Sequence, residues 1–116
     1  KEEQPSESSA AIRERVMRAR AVQQLRFAAY NQTAKTPIHC NAQMTPKLVR
    51  TYCPLDDQSD KLLAYSMEKL GLSARAYDRI LKVARTIADL DESEIILEKH
   101  IAEAIQYRSL DKKYWG

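Results

Sequence analysis

The apolar residues of this chain recur at the three- and four-residue spacing of amphipathic α-helices. In the first long segment, residues 10–30, Ser8 or Ser9 can cap a helix. The stripe that we expect this helix to bury consists of Ile12, Val16, Ala19, Val22, Leu25 and Ala29. Residues 31–44 show no period, which predicts an irregular connection.

Two shorter segments follow with clear helix boundaries. Thr45 and Pro46 open a helix of about two turns that Pro54 closes, because proline suits the first helical position and prevents continuation beyond the last. Asp56 or Asp57 caps the next helix, which ends at Gly71. Its expected buried stripe is Leu62, Leu63, Met67 and Leu70. These signals predict two separate helices between residues 45 and 71.

The last part of the chain predicts two more helices. Ser73 can cap a helix over residues 74–90, whose expected core positions are Tyr77, Ile80, Leu81, Ala84, Ile87 and Ala88. After a turn, Ile95 and Ile96 are expected to fold back onto the helical bundle. A final helix then buries Ile101, Ala104 and Ile105, with Tyr107 packed against the bundle. We therefore predict an all-α fold, a small orthogonal bundle of about five helices. It should comprise residues 9–116, after a flexible N-terminal segment, residues 1–8.

Composition agrees with a single helical domain. The 116 residues are 44% hydrophobic and 30% charged, with 2 Gly and 4 Pro. The net charge of +3 permits contact with nucleic acid or nucleotide without requiring it. No apolar run approaches the roughly 18 residues of a membrane span. We expect a soluble, cytoplasmic protein whose 2 cysteines are free thiols, with no membrane partner.

Tests for enzyme chemistry find little. With 2 glycines the chain has no Gly-rich phosphate loop. The residues that could ligate zinc are His39, Cys40, Cys53 and His100, but they lack the close paired spacing of zinc sites, so no metal is expected. Acidic pairs lie at helix starts or turns, where carboxylates stabilise the positive end of a helix. The pattern favours a binding or regulatory module without a catalytic site of its own.

Two arginine features remain as candidate binding elements. Arg75 falls in the first turn of the helix over residues 74–90, where the helix dipole disfavours a cation by roughly 0.3–1 kcal/mol. It is either a tolerated solvated residue or a ligand for a phosphate from elsewhere. The first helix carries Arg13, Arg15, Arg18, Arg20 and Arg26. In one interpretation, these five residues form an ordinary solvated surface. In the alternative, a face that binds DNA or a protein partner is formed by Arg13, Arg15, Arg18 and Arg20.

The segments "LGLSARAYDRILKVARTIADL" and "HIAEAIQYRSLD" closely resemble the C-terminal domain of the magnesium-chelatase-related AAA+ ATPases known as the ComM or YifB family. "ESSAAIRERVMRARAVQQLRF" and "CNAQM" resemble the preceding segments of that family. The resemblance implies a helical lid over a nucleotide, with the phosphate loop, acidic motif and arginine finger upstream. The lid alone is then not catalytic, whereas the parent protein is an ATPase that uses ATP and Mg.

The resemblance also assigns roles to residues and partners. Arg75 stands at the position of the sensor-2 arginine, and Arg79, one turn along, is a possible supporting residue. The implied partners are the upstream AAA+ core, neighbouring protomers of a hexamer, and DNA, in branch migration during natural competence. Two alternatives stay open: a free-standing helical DNA-binding module, and the lid of a true magnesium chelatase motor subunit.

Overall fold

The computed structural model describes residues 8–110, with side chains placed through Arg108. It contains five α-helices, which are α1 (Ser9–Thr33), α2 (Pro46–Tyr52), α3 (Asp57–Leu70), α4 (Ala74–Leu90) and α5 (Glu98–Leu110). A single 3-10 turn, Asn41–Gln43, interrupts the connection between α1 and α2. Within residues 8–110 the only β-type pairing is an isolated bridge between Leu55 and Ile96. The all-α prediction is confirmed, whereas the expected flexible segment lies outside the described residues except for Ser8.

Four helices begin at a polar residue that the sequence marks as a cap. In each, the side chain accepts a backbone N–H from the first turn, which satisfies a donor that the helix itself cannot pair. These caps are Ser8, Thr45, Asp56 and Ser73. At the other end of α3, Gly71 adopts a left-handed conformation with φ 61° and ψ 45°. Glycine adopts this conformation without a side-chain clash, so α3 ends where the sequence predicts.

Helix α4 lies at the centre of the hydrophobic core and packs against α1, α2 and α5. Its expected core positions are confirmed: Ile80, Leu81, Ala84 and Ala88 are buried, and Tyr77 and Ile87 are half-buried against them. Other helices and the connections between them supply the remaining large core residues, including Phe27, Val49, Leu63, Ile96 and Ile101. Most of the fold is therefore organised around α4.

The predicted buried stripe of α1 is confirmed at Ala19 but wrong at four of its six positions. Ile12, Val22 and Leu25 are 43%, 42% and 78% exposed, and Ala29 is exposed as well. Ala19 is buried as predicted, whereas the other buried residues of α1, Gln23 and Phe27, were not expected in the stripe. Successive helical residues are rotated by about 100°, so Leu25 lies on the side of α1 opposite to Gln23. Phe27 and the polar contacts of Gln23 decide which side of α1 faces the core.

Three other residues are more exposed than expected. Leu70, Ile95 and Tyr107 are 49%, 41% and 51% exposed, so the expectation that they pack inward was wrong for them. Leu70 is the last residue of α3, directly before the left-handed Gly71. Ile96, next to Ile95, is fully buried, as are Ile101 and Ala104 of α5. Among residues 8–110, no helix is long and apolar enough to cross a membrane.

Candidate functional site

The first turn of α4 presents Arg75 to solvent. Gly71 and Leu72 close α3 through N–H bonds to its last turn, and Ser73 caps α4 by accepting the N–H of Ala76 at 3.2 Å. This three-residue connection makes Arg75 the second residue of α4. The position of Arg75 at a helix start is thus fixed by the glycine stop and the serine cap.

The surroundings of Arg75 leave its guanidinium available. The first turn of α4 has no acidic residue, and Arg75 is exposed without a hydrogen bond or ion pair to any residue between Ser8 and Leu110. The N–H groups of Ala74 and Arg75 have no acceptor within their own helix. A guanidinium beside such N–H groups can bind a phosphate through paired hydrogen bonds. The arrangement is suited to a phosphate-bearing ligand.

Arg79 lies one turn after Arg75, on the same side of α4 by spacing. It is half-buried and already engaged with a neighbouring group. Asp78, beside it in the sequence, is also half-buried. Arg79 is therefore held more firmly than Arg75 and has less freedom to reach a new ligand.

The four candidate arginines of α1 do not form one face. Arg13 and Arg20 are exposed, and their seven-residue spacing places them on the same side of α1. Arg18 instead pairs with Glu14 at 3.3 Å and with Glu92 at 3.1 Å, and Arg15 is half-buried and engaged. The structure thus separates Arg13 and Arg20 from Arg15 and Arg18 on different sides of the helix.

A buried polar cluster that the sequence did not predict joins α1 to α4. Arg26 of α1 donates two hydrogen bonds to the carboxylate of Asp89 in α4, at 2.8 and 2.6 Å. The expectation that Arg26 belongs to a solvated surface was wrong, since its side chain is 12% exposed and that of Asp89 1%. The physical reason is this paired contact, which compensates the loss of water around both charges.

Asn41, in the 3-10 turn, completes the contact between the two helices. Its side-chain amide nitrogen donates to Asp89 at 2.9 Å and to Thr86 at 3.1 Å, and its side-chain oxygen Oδ1 accepts from Arg26 at 3.0 Å. Its backbone N–H donates to the side chain of Gln23 at 3.0 Å. The group, together with Arg85 described next, is called the Asp89 cluster and consists of Gln23, Arg26, Asn41, Arg85, Thr86 and Asp89.

Arg85 adds a second buried cation to the Asp89 cluster. It lies 3.2 Å from the carboxylate of Asp89 and donates to the carbonyl groups of Ser93 and Glu94 at 2.6 and 2.9 Å. Burial lowers the pKa of Arg85, although Asp89 opposes the change. Its Nε finds no acceptor in the described part of the chain. Two guanidinium groups therefore share one buried carboxylate, and the turn after α4 supplies the remaining acceptors.

The cysteine and histidine residues differ in burial and in their contacts. Cys40 is exposed, whereas burial raises the pKa of the Cys53 thiol to about 11, so this thiol stays protonated near neutral pH. His100 is buried, with Nε2 2.9 Å from Asp91 and Nδ1 accepting the N–H of Leu97 at 2.9 Å. Between Ser8 and Arg108 no three His, Cys, Asp or Glu residues form a group that could hold a metal ion. His100 instead fixes the start of α5.

Comparison with known proteins agrees with this architecture. The sequence model of the family described as "Magnesium chelatase, subunit ChlI C-terminal" matches residues 6–108. The chain is 42% identical over 108 residues to "Uncharacterized protein YifB" of Escherichia coli (strain K12), covering 93% of this chain and 19% of that protein. It is 40% identical over 104 residues to "Competence protein ComM" of Haemophilus influenzae, covering 90% of this chain and 18% of that protein.

A third relative, "Uncharacterized protein YifB" of Salmonella typhimurium, is 37% identical over 106 residues, which cover 91% of this chain and 19% of that protein. The chain thus spans about a fifth of the length of the curated relatives it matches. The family match covers almost all of the described helices, including the start of α4 and the Asp89 cluster. The chain belongs to the family of the C-terminal domain of the magnesium chelatase subunit ChlI, and within it resembles YifB and ComM.

Proposed function

We propose that this domain is the helical lid of a ComM-like AAA+ ATPase and that Arg75 binds the terminal phosphate of ATP. The observation that carries the proposal is the exposed guanidinium of Arg75, which has no partner among residues 8–110 and stands beside unpaired N–H groups at the start of α4. Family membership and the greater length of the relatives support an upstream ATPase core.

The chemistry of Arg75 suits this role. A guanidinium stays charged at neutral pH and offers paired donors to two oxygens of one phosphate. During phosphoryl transfer, negative charge spreads over the oxygens of the transferred group, and a placed cation lowers the barrier. A lid that carries such a cation also changes its own position with the nucleotide state. ATP and Mg then bind to the upstream core, with Arg79 as a supporting residue for Arg75.

The parent protein is proposed to be a cytoplasmic hexamer that moves DNA. One relative is named a competence protein, which supports a role in natural transformation, with branch migration as the reaction. The neighbouring protomers and the upstream core are the partners that the lid requires in this proposal. A true magnesium chelatase motor subunit is the alternative within the same family, and stimulation of the ATPase by DNA rather than by a porphyrin would separate the two.

The first experiment measures ATP turnover of the full-length protein carrying Arg75→Ala. Turnover should fall by a factor on the order of ten to a thousand, as expected when a donor to developing phosphate charge is lost. Arg75→Lys keeps the charge but not the planar pair of donors, so it should restore activity only in part. Arg50→Ala, at an exposed arginine of α2, is the matched control and should retain normal turnover. Normal turnover and ATP affinity in Arg75→Ala would end the proposal.

A free-standing DNA-binding module is the second candidate function, favoured by the exposed pair Arg13 and Arg20. If the domain is a lid, these two cations should give only weak, salt-sensitive DNA binding without sequence preference. Fluorescence anisotropy with labelled DNA at increasing salt tests this on the chain itself. The double variant Arg13→Gln and Arg20→Gln should weaken binding, and Arg50→Gln is the control. Tight binding that persists at high salt would favour this candidate over the lid.

A further inference from the structure

The Asp89 cluster joins the two longest helices near the end of α4 that is remote from Arg75. It links Gln23 and Arg26 of α1, Asn41 of the 3-10 turn and Asp89 of α4 through hydrogen bonds of 2.6–3.1 Å. Asn41 belongs to the segment "CNAQM", which the lid function leaves without a role. The cluster is thus the polar connection between α1 and the helix that carries Arg75.

Stability alone does not account for this cluster. Burying charged groups is costly, and well-packed apolar residues of similar volume often give equal or greater stability. Here a buried and a largely buried arginine share one carboxylate, and the Nε of Arg85 has no acceptor within residues 8–110. A buried polar network whose members mostly have hydrogen-bond partners holds the elements that it joins in one defined arrangement.

The length of α4 makes that arrangement important for Arg75. Asp89 lies 14 residues after Arg75, which is about 21 Å along a helix that rises 1.5 Å per residue. A tilt of α4 by about 10° around Asp89 would displace the start of the helix by roughly 4 Å. Contacts to a reacting phosphate tolerate much smaller errors, since a misplacement of about 1 Å can reduce a rate about a hundredfold.

We propose that Arg26 is a positioning residue that, through Asp89 and Asn41, sets the orientation of α4 on α1 and thereby the place of Arg75 at the nucleotide. This inference rests on the proposed function of Arg75. Arg26 does not touch the nucleotide itself; it holds the opposite end of the helix that does. Its loss therefore acts on catalysis only while Arg75 is present.

The test uses the full-length ATPase and a double-mutant comparison. Arg26→Met replaces the charged side chain with an unbranched apolar one of similar length. It thereby removes both hydrogen bonds to Asp89. It should lower kcat about tenfold, with a smaller change in the KM for ATP. In the background of Arg75→Ala, the same substitution should change kcat by less than about twofold, because its effect passes through Arg75. Arg50→Met, at the exposed arginine of α2, should leave kcat unchanged in both backgrounds.

A second variant keeps the test decisive if Arg26→Met does not fold. Arg26→Lys retains the buried charge and one donor but loses the paired contact, and should lower kcat about threefold in the wild-type background and not in Arg75→Ala. Equal losses in both backgrounds, or no loss with either variant while Arg75→Ala is impaired, would overturn the positioning role and leave the proposed function intact. Normal turnover in Arg75→Ala would overturn both.

Discussion

Helices α1 and α4, with 25 and 17 residues, are the two longest in the described part of the domain. They differ greatly in the fraction of their residues that is buried. Helix α4 buries seven residues along its whole length, whereas α1 buries Ala19, Gln23 and Phe27. The large apolar residues that α1 leaves exposed are Ile12, Met17, Val22 and Leu25. Apolar residues therefore supply most of the buried positions of α4, whereas most of the large apolar residues of α1 stay exposed.

The difference lies in how many neighbours each helix has. Helix α4 packs against three other helices, so a wide apolar stripe finds partners on several sides. Helix α1 contacts the core along a narrow strip, where Phe27 meets Tyr52 edge-on at 5.4 Å between ring centroids and Gln23 and Arg26 enter the Asp89 cluster. On such a helix, a few aromatic and polar contacts decide which side is buried.

The largest expected effect comes from breaking the contact between these two helices at Asp89. Asp89→Ala leaves Arg26 and Arg85 buried without their carboxylate, and should lower the free energy of unfolding by about 3–5 kcal/mol. Urea denaturation of the chain at neutral pH, followed by circular dichroism, measures it. Glu103→Ala, at an exposed position of α5, is the control and should change stability by no more than about 0.5 kcal/mol. Equal effects of the two substitutions would show that the cluster does not hold the helices together.

A matched pair of apolar truncations tests the comparison directly. Ile80 of α4 is fully buried, and Ile80→Ala should cost about 2–5 kcal/mol through lost burial and a cavity. Leu25 of α1 is 78% exposed, so Leu25→Ala should alter stability by less than about 0.5 kcal/mol. The same denaturation experiment serves for both. A cost above about 1 kcal/mol for Leu25→Ala would mean that the sequence-predicted stripe of α1 is buried after all.

The turn after α4 adds a pH-dependent contact. Hydrogen bonds from His100 and then Lys99 lower the pKa of Asp91 below its ordinary value of 3.8. A carboxyl group with a lowered pKa contributes stability above its unfolded pKa, and this contribution is lost as the pH falls through the folded value. The stability difference between wild type and Asp91→Asn should therefore persist at neutral pH and shrink as the pH falls from about 5 to 2.

A substitution of the second partner refines the pH test. Since Lys99 also lowers the pKa of Asp91, through a hydrogen bond and through its charge, Lys99→Met should reduce the pH-dependent difference without abolishing it, because the hydrogen bond from His100 remains. Denaturation curves across the acidic range measure both variants. A difference between wild type and Asp91→Asn that does not vary over this range would contradict the assignment.

Helix ends could be predicted from the sequence because they depend on single residues next to each other. Ser73 pairs with an N–H three residues away, and Gly71 supplies a conformation that other residues adopt with difficulty. The core of α4 was predictable for a similar reason, since its apolar period matches the helix. The exposure of Arg75 also followed from local signals, because the cap places it in the first turn.

The Asp89 cluster could not be predicted, because its hydrogen bonds join residues of three segments that lie up to 63 positions apart. Gln23, Arg26 and Asn41 are polar residues that read as surface when each is considered within its own helix or loop. Only the contact of α1 with α4 gives them partners, and a single sequence does not contain that contact. The same limit explains the wrong positions in the predicted stripe of α1 and the pairing of Arg18 with Glu92, which lies in a distant turn.

The smallest expected effect concerns Arg75 itself, at the start of α4. In the chain studied alone, Arg75→Ala removes an unfavourable contact between a cation and the helix dipole and introduces the best helix former. Stability should rise by about 0.2–0.5 kcal/mol, or roughly 1–3 °C in Tm. Arg20→Ala, at an exposed site within α1, is the control, because it changes helix propensity away from either end and should give a smaller rise. A loss of more than about 1 kcal/mol in Arg75→Ala would mean that Arg75 supports the fold, and an arginine needed for folding would not be free to bind a phosphate.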